Sequence, residues 1–175
     1  MDTGGIIPDI IDSKPATIAC VTYGDRSVSL GNELKPRQVK DEPEITWKAE
    51  EGSLYTLLMV DPDAPSRETP TYREILHWFV INIPGNKLSE GQVVAEYIGS
   101  GPPEGSGLHR YVFLVFKQTQ TISTDTFISK NSREGRLSIK TRDYIVSYKL
   151  GDLVAGNYYQ AQYDDYVPIL KAQLN

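Results

Sequence analysis

Residues 61–80 read DPDAPSRETPTYREILHWFV: two aspartates, three prolines, a tyrosine and a histidine ahead of an apolar run. Pro62 and Pro65 each fix φ at about −65° and remove an N–H donor, so Asp61 and Asp63 sit on a backbone with little freedom. Ala64-Pro65 is the candidate cis bond, because cis proline belongs to tight turns. The apolar run LYTLLMV ends directly at Asp61, which puts that carboxylate at the mouth of a buried strand. His77 then opens HWFVINI, which returns antiparallel to the first run. Residues 99–116, GSGPPEGSGLHRYVFLVF, repeat the plan, with four glycines and two prolines in nine residues, then His109, then an apolar strand. The chain has two histidines, and these two stretches hold both.

Around these two stretches lie short β-rich runs: TIACVTY, SVSLG, EITWKA, VAEYIG and YYQAQY. Gly, Pro, Asp or Asn separates most of them, the pattern of an antiparallel all-β sandwich or barrel. LYTLLMV and YVFLVF are apolar on both faces and belong at the centre; SVSLGN and EITWKA alternate weakly and belong at edges. Three helices are expected: a turn or two over PDIIDS, residues 138–149 with Ser138 as N-cap and Gly151 beyond the end, and a terminal helix in DDYVPILKAQLN with Pro168 in its first turn. Residues 1–175 read as one domain, without repeats or linkers.

Composition narrows the function classes. A net charge of −5, with no basic block, argues against a nucleic-acid binder. No apolar run approaches the length of a membrane span, so contact with lipid is peripheral at most. The N-terminus lacks the basic and apolar regions of a secretory signal, and the single cysteine, Cys20, suits a reducing compartment. Cytoplasmic localisation and a monomer are the expectations. Cys20, in a strand-like run, reads as a buried structural thiol.

If the two histidine loops converge, Asp61, His77, His109 and Tyr111 meet at one end of a sheet. Imidazoles, a tyrosine hydroxyl and glycine-loop N–H groups are donors suited to a small anion, and an aspartate behind a histidine fixes its tautomer. Each piece alone has a plainer reading. DPDAP is a capped turn, a histidine at a strand start is a structural group, Tyr72 and Tyr111 are core or rim aromatics, and Arg110 is a surface or salt-bridge residue. The joint pattern carries the anion-site reading.

The same residues resemble the phosphatidylethanolamine-binding protein family, also known as the Raf kinase inhibitor protein family. Its DPDAP motif stands at residues 61–65 and its GxHR motif at Gly107-Leu108-His109-Arg110. The likeness extends through TYGD, LYTLLMVDPDAPSR, TYREILHWFVIN, YIGSGPPEGSGLHRYVFLVF and YYQAQYDDYVPIL. The resemblance implies a large antiparallel sheet on a smaller one, with a C-terminal helix beside an anion pocket. It implies pocket residues Asp61, Asp63, Pro65, Tyr72, His77, Gly101, Pro103, His109 and Tyr111, and a cis Ala64-Pro65 bond. Ile75 and Leu76 stand where many animal members carry a tryptophan and a histidine. Lys171 replaces a tyrosine at the rim, and NSREGRLSIKT departs from the family's usual run.

The expected function is a non-catalytic binding protein for phosphate-bearing head groups of the phosphatidylethanolamine kind, or phosphorylated side chains. The resemblance adds modulation of a partner such as a kinase, or a serine protease inhibitor role. No cofactor and no metal site is expected. The alternative is a metal-assisted hydrolase using Asp61, Asp63, His77 and His109, since carboxylate and imidazole suit divalent metals. No HExxH, GxSxG, P-loop or dinucleotide fingerprint supports that chemistry.

Overall fold

The computed structural model describes residue 1 and residues 4–175. Its strands are β1 (Thr17–Ile18), β2 (Cys20–Tyr23), β3 (Arg26–Ser27), β4 (Asn32–Glu33), β5 (Glu44–Thr46), β6 (Leu54–Asp61), β7 (Ile75–Pro84), β8 (Gln92–Ala95), β9 (His109–Lys117) and β10 (Asp152–Ala161). Its helices are α1 (Ile6–Asp9), α2 (Thr141–Ser147) and α3 (Val167–Ala172). The larger sheet runs β1-β10-β9-β6-β7-β8, with β4 also on β10; the smaller runs β3-β2-β5. The sandwich is therefore mainly β, as its spacing predicts, with the two doubly apolar runs at the centre. Not every pairing is antiparallel: β1 and β4 both lie parallel to β10.

The central strands are apolar throughout because the larger sheet is covered on both faces. Tyr55, Leu57 and Met59 of β6 join Phe113 and Val115 of β9 against Val21 and Ile45 of the small sheet and Trp47 just beyond it. Leu58 and Val60, with Val112, Leu114 and Phe116, face a second core closed by Ile6, Ile10 and Leu150. Each such side chain contributes about 1.5–3 kcal/mol on burial, so neither face of β6 or β9 has room for a polar stripe. Asn157 of β10 ties the N-terminal arm to this core. Its Nδ2 donates to the carbonyls of Ala19 and Val28, and its Oδ1 accepts from the N–H of Leu30 and Tyr158.

Beyond their paired portions, β6 and β9 remain joined by side chains. The ladder between them ends at Val60↔Val112. Past it, Asp63 Oδ2 accepts from the Arg110 backbone N–H at 2.9 Å and from Arg110 Nε at 2.9 Å, while Asp63 Oδ1 takes Arg110 Nη2 at 2.7 Å. Both side chains are fully buried. Asp9 and the Gly4 carbonyl take further N–H groups of the same guanidinium, which docks the N-terminal segment onto the joint. Arg110 is thus the salt-bridge residue its plainer reading made it, in the interior.

Several local expectations are corrected by tertiary contacts. Cys20 is exposed, because β2 alternates and turns Val21 and Tyr23 inward. The helix expected over 138–149 begins only at Thr141: Ile139 exchanges two backbone hydrogen bonds with Glu74 and is held extended. Ser138 has φ 57°, and the N-cap position is Lys140. Thr141 spends its hydroxyl on the buried Glu74 carboxylate. Gly151 does lie beyond the helix; at φ 84° it brings the chain against the Lys117 carbonyl, where a Cβ would stand 2.0 Å from that oxygen. The PDIIDS helix is a single turn over Ile6–Asp9, set by burial of Ile6 and Ile10. SVSLG is not one strand but the bend between β3 and β4, and VAEYIG contributes only its start to β8.

Two measurements test this framework. Burial alone would raise the Asp63 carboxyl, but hydrogen bonds and charge from Arg110 outweigh it and hold the carboxyl below its ordinary value. Its contribution is present above the unfolded value of about 3.9 and is lost as pH falls through the lowered folded value. Arg110→Met should cost about 3–5 kcal/mol in urea unfolding at neutral pH, because it strands a buried carboxylate. The loss should shrink as pH falls, beginning above about 4, where the buried carboxyl of the variant takes a proton, and ending where the lowered wild-type carboxyl does so too. Asn157→Leu should cost about 3 kcal/mol, since four backbone groups lose a partner, and should selectively speed hydrogen exchange at the Leu30 amide.

Candidate functional site

The two stiff loops meet at one end of the larger sheet and enclose a cavity of about 400 Å³. Asp61, Pro65, Tyr72, His77, Gly101, Pro103, His109, Tyr111 and Lys171 all line it. Ala64-Pro65 is cis. Asp63 does not line the cavity: its carboxylate is turned to Arg110, so it holds the loop and does not face a ligand. The Asp61 carboxylate divides its oxygens. Oδ1 accepts from the Asp63 N–H at 2.7 Å, closing the turn, and Oδ2 meets His109 Nδ1 at 3.0 Å.

The two histidines are held differently. His109 Nδ1 donates to Asp61, and its Nε2 stands 2.9 Å from Ser106 Oγ, which also lies 2.7 Å from the Pro103 carbonyl. Ser106 has one hydroxyl proton. With that proton on the Pro103 carbonyl, Ser106 accepts from a doubly protonated His109; turned the other way, Ser106 donates to a neutral ring. His77 Nδ1 donates to the Ile98 carbonyl at 3.0 Å, which leaves Nε2 for whatever occupies the cavity. Burial holds the His77 ring below its ordinary value, while Asp61 and the Ile98 carbonyl pull the other way. A neutral ring in this tautomer presents a lone pair at Nε2. That differs from the simple donor the sequence reading assigned.

Tyr111 fixes both rings in place, edge-on to His77 at 5.3 Å and stacked with His109 at 6.3 Å between centroids. Behind it Tyr159 bonds Ser100 Oγ, and Tyr23 bonds Tyr97, which donates to the Val39 carbonyl. Burial keeps the Tyr111 and Tyr159 phenols neutral by pushing both well above their ordinary values.

One wall of the cavity was not legible in the sequence. Arg136 is 2% exposed, and its N–H groups reach the carbonyls of Leu76, Glu96, Ser129 and Ser132. Burial lowers the guanidinium to about 10, with Glu96 acting against it, so it stays charged at neutral pH. Its charge is surrounded by carbonyl dipoles and makes no ion pair with a carboxylate among the described residues. Arg133 and Ser132, from the same segment, also line the cavity. Ile75, Leu137, Leu170 and Leu174 make the remaining wall apolar.

The arrangement brings two imidazoles, one carboxylate and three cationic side chains to a single opening. Among the described residues, no group of three or more His, Cys, Asp and Glu side chains is placed to hold a metal ion. Nor is any helix among them long and apolar enough to cross a membrane.

Residues 24–159 match the family model for phosphatidylethanolamine-binding protein. The chain is 37% identical over 172 residues to "Putative odorant-binding protein A5" of Drosophila melanogaster, covering 97% of this chain and 81% of that protein. It is similar to the solution structure of CG7054 at 51% identity and a TM-score of 0.80, over 97% of this chain and 98% of that one. It is also similar to carboxypeptidase Y inhibitor, seen in complex with its cognate proteinase, at 26% identity and a TM-score of 0.78, over 93% of each chain. A family model matched over most of the sequence, and a relative this similar over nearly all of it, establish that the chain belongs to the phosphatidylethanolamine-binding protein family.

Proposed function

We propose that the chain is a non-catalytic binding protein whose cavity takes a small phosphoryl-type anion, and that occupancy modulates its contact with a protein partner. The observation that carries this reading is the paired histidine floor beside a buried cation. His77 Nε2 is free to take a proton, His109 is backed by Asp61, and Arg136, caged by carbonyls, brings a positive charge that makes no ion pair among the described residues. A head group of the phosphatidylethanolamine kind and a phosphorylated side chain both offer the required oxygens. For the partner, a protein kinase follows from the sequence resemblance. A protease is favoured by the likeness to carboxypeptidase Y inhibitor, which binds its proteinase.

The hydrolase alternative lacks a donor set. Asp63 is locked on Arg110, and Asp61 and His109 are committed to one another. That leaves His77 with two engaged groups and no third ligand for a metal.

The sign of the pH dependence follows from the His77 tautomer. An anion cannot rest against a lone pair, so binding brings a proton to that contact and raises the ring's pKa in the complex. Affinity should therefore rise as pH falls through the ordinary histidine value of about 6.5, by at most about tenfold per pH unit for one linked proton. The rise should level off once pH passes below the lowered value of the free protein. Sulfate does not titrate in this range and serves as the probe, with inorganic phosphate beside it. Calorimetry in buffers of different ionisation enthalpy should give net proton uptake on binding near pH 7, at most about one per site, and His77→Gln should abolish it. Sulfate affinity that stays flat from pH 5.5 to 8, with no proton uptake, would sink the proposal.

A further inference from the structure

We infer that the rim of the cavity carries a second anion subsite, built from Arg133 and Lys171, and that the preferred ligand bears a carboxylate or second phosphate beyond its deep phosphoryl group. The inference rests on the anion reading of the cavity floor and specifies the ligand class. Arg133 and Lys171 come from segments nearly forty residues apart, yet both line the same cavity. Neither makes an ion pair with a carboxylate among the described residues. Lys171 lies in the last turn of α3, and its Cε would stand 3.9 Å from a Cβ placed on Gly101, so its stem crosses the mouth beside a floor glycine.

The two cations are close enough to oppose each other. Burial and the charge of Arg133 both hold the Lys171 ammonium below its ordinary value. Two like charges brought to one opening cost free energy that an anion between them recovers. Around the whole cavity one carboxylate, Asp61, stands against three cations, Arg133, Arg136 and Lys171. Asp61 is already engaged by His109. A ligand whose outer end is only an ammonium therefore meets repulsion at the rim. One whose outer end carries a carboxylate meets two unpaired cations.

O-phosphoserine and phosphorylethanolamine differ by one carboxylate and test this directly. Titrations followed by NMR at pH 6 should show O-phosphoserine binding tighter by on the order of fivefold, the worth of two half-exposed charge contacts. The doubly substituted Arg133→Gln, Lys171→Gln protein should bring the two ligands to parity, and Lys171→Glu should favour phosphorylethanolamine. Both variants change side chains outside the cores, and their amide spectra report that the fold is kept. Equal affinities in the wild-type protein, with both ligands shifting the His77 and His109 loops, would overturn the rim subsite and leave the deep site standing. No shift with either ligand would overturn both. Glycerophosphoserine and glycerophosphoethanolamine form the matching diester pair. A preference in that pair extends the assignment to esterified head groups, and a preference in the monoesters alone assigns it to free phosphomonoesters.

Discussion

The Asp63–Arg110 pair is the joint on which the site depends. Where the β6–β9 ladder stops at Val60↔Val112, the strands no longer exchange backbone hydrogen bonds. Asp63 takes over by accepting the Arg110 backbone N–H itself and then the guanidinium fork. A buried ion pair is costly to desolvate, and it is tolerated when the geometry is bidentate and the remaining N–H groups find partners. Both conditions hold, since Asp9 and the Gly4 carbonyl complete Arg110. Just before each member of the pair stands the site itself: Asp61 two residues ahead of Asp63, and His109 next to Arg110. With Asp63 fixed, the turn closed by its N–H aims Asp61; with Arg110 fixed, His109 is placed to meet it.

Net charge gives a poor guide to such a site. The chain carries −5 overall, yet its cavity is lined by three cationic side chains, Arg133, Arg136 and Lys171, against the single carboxylate of Asp61. Low-dielectric walls sharpen that local field, and acids spread over the outer surface are screened by solvent. The sign of a cavity is set by the few charges that face it, not by the total carried by the chain.

Much of the architecture could be read from the residues because it follows from short-range patterns. LYTLLMV and YVFLVF lack a polar face, which admits only a position between two cores. DPDAP and GSGPPEGSG state their own stiffness. Other features depend on residues remote in sequence. The late start of α2 is imposed by Glu74, nearly seventy residues away, which engages Ile139 and Thr141. The Cys20 expectation failed on a choice of face that a four-residue strand cannot announce. Asp63 carried the right motif but the wrong direction, since its partner lies on another loop. Arg136 left no local signal. Its cage is assembled from carbonyls at residues 76, 96, 129 and 132, and only the unusual run of NSREGRLSIKT marked its segment.

The strand that receives the N-terminal arm is made long after it. β1 and β4 lie on β10, Thr17 opposite Ala155 and Asn32 opposite Tyr159, and Asn157 gathers the carbonyls of Ala19 and Val28. During vectorial synthesis residues 17–33 therefore have no binding place on the larger sheet until residue 152 and beyond leave the ribosome. Until then β9 also shows an open edge where β10 will lie, on a strand with no polar face. The sheet stays incomplete until β10 emerges, and the exposed edge is a ready partner for another nascent chain until β10 covers it.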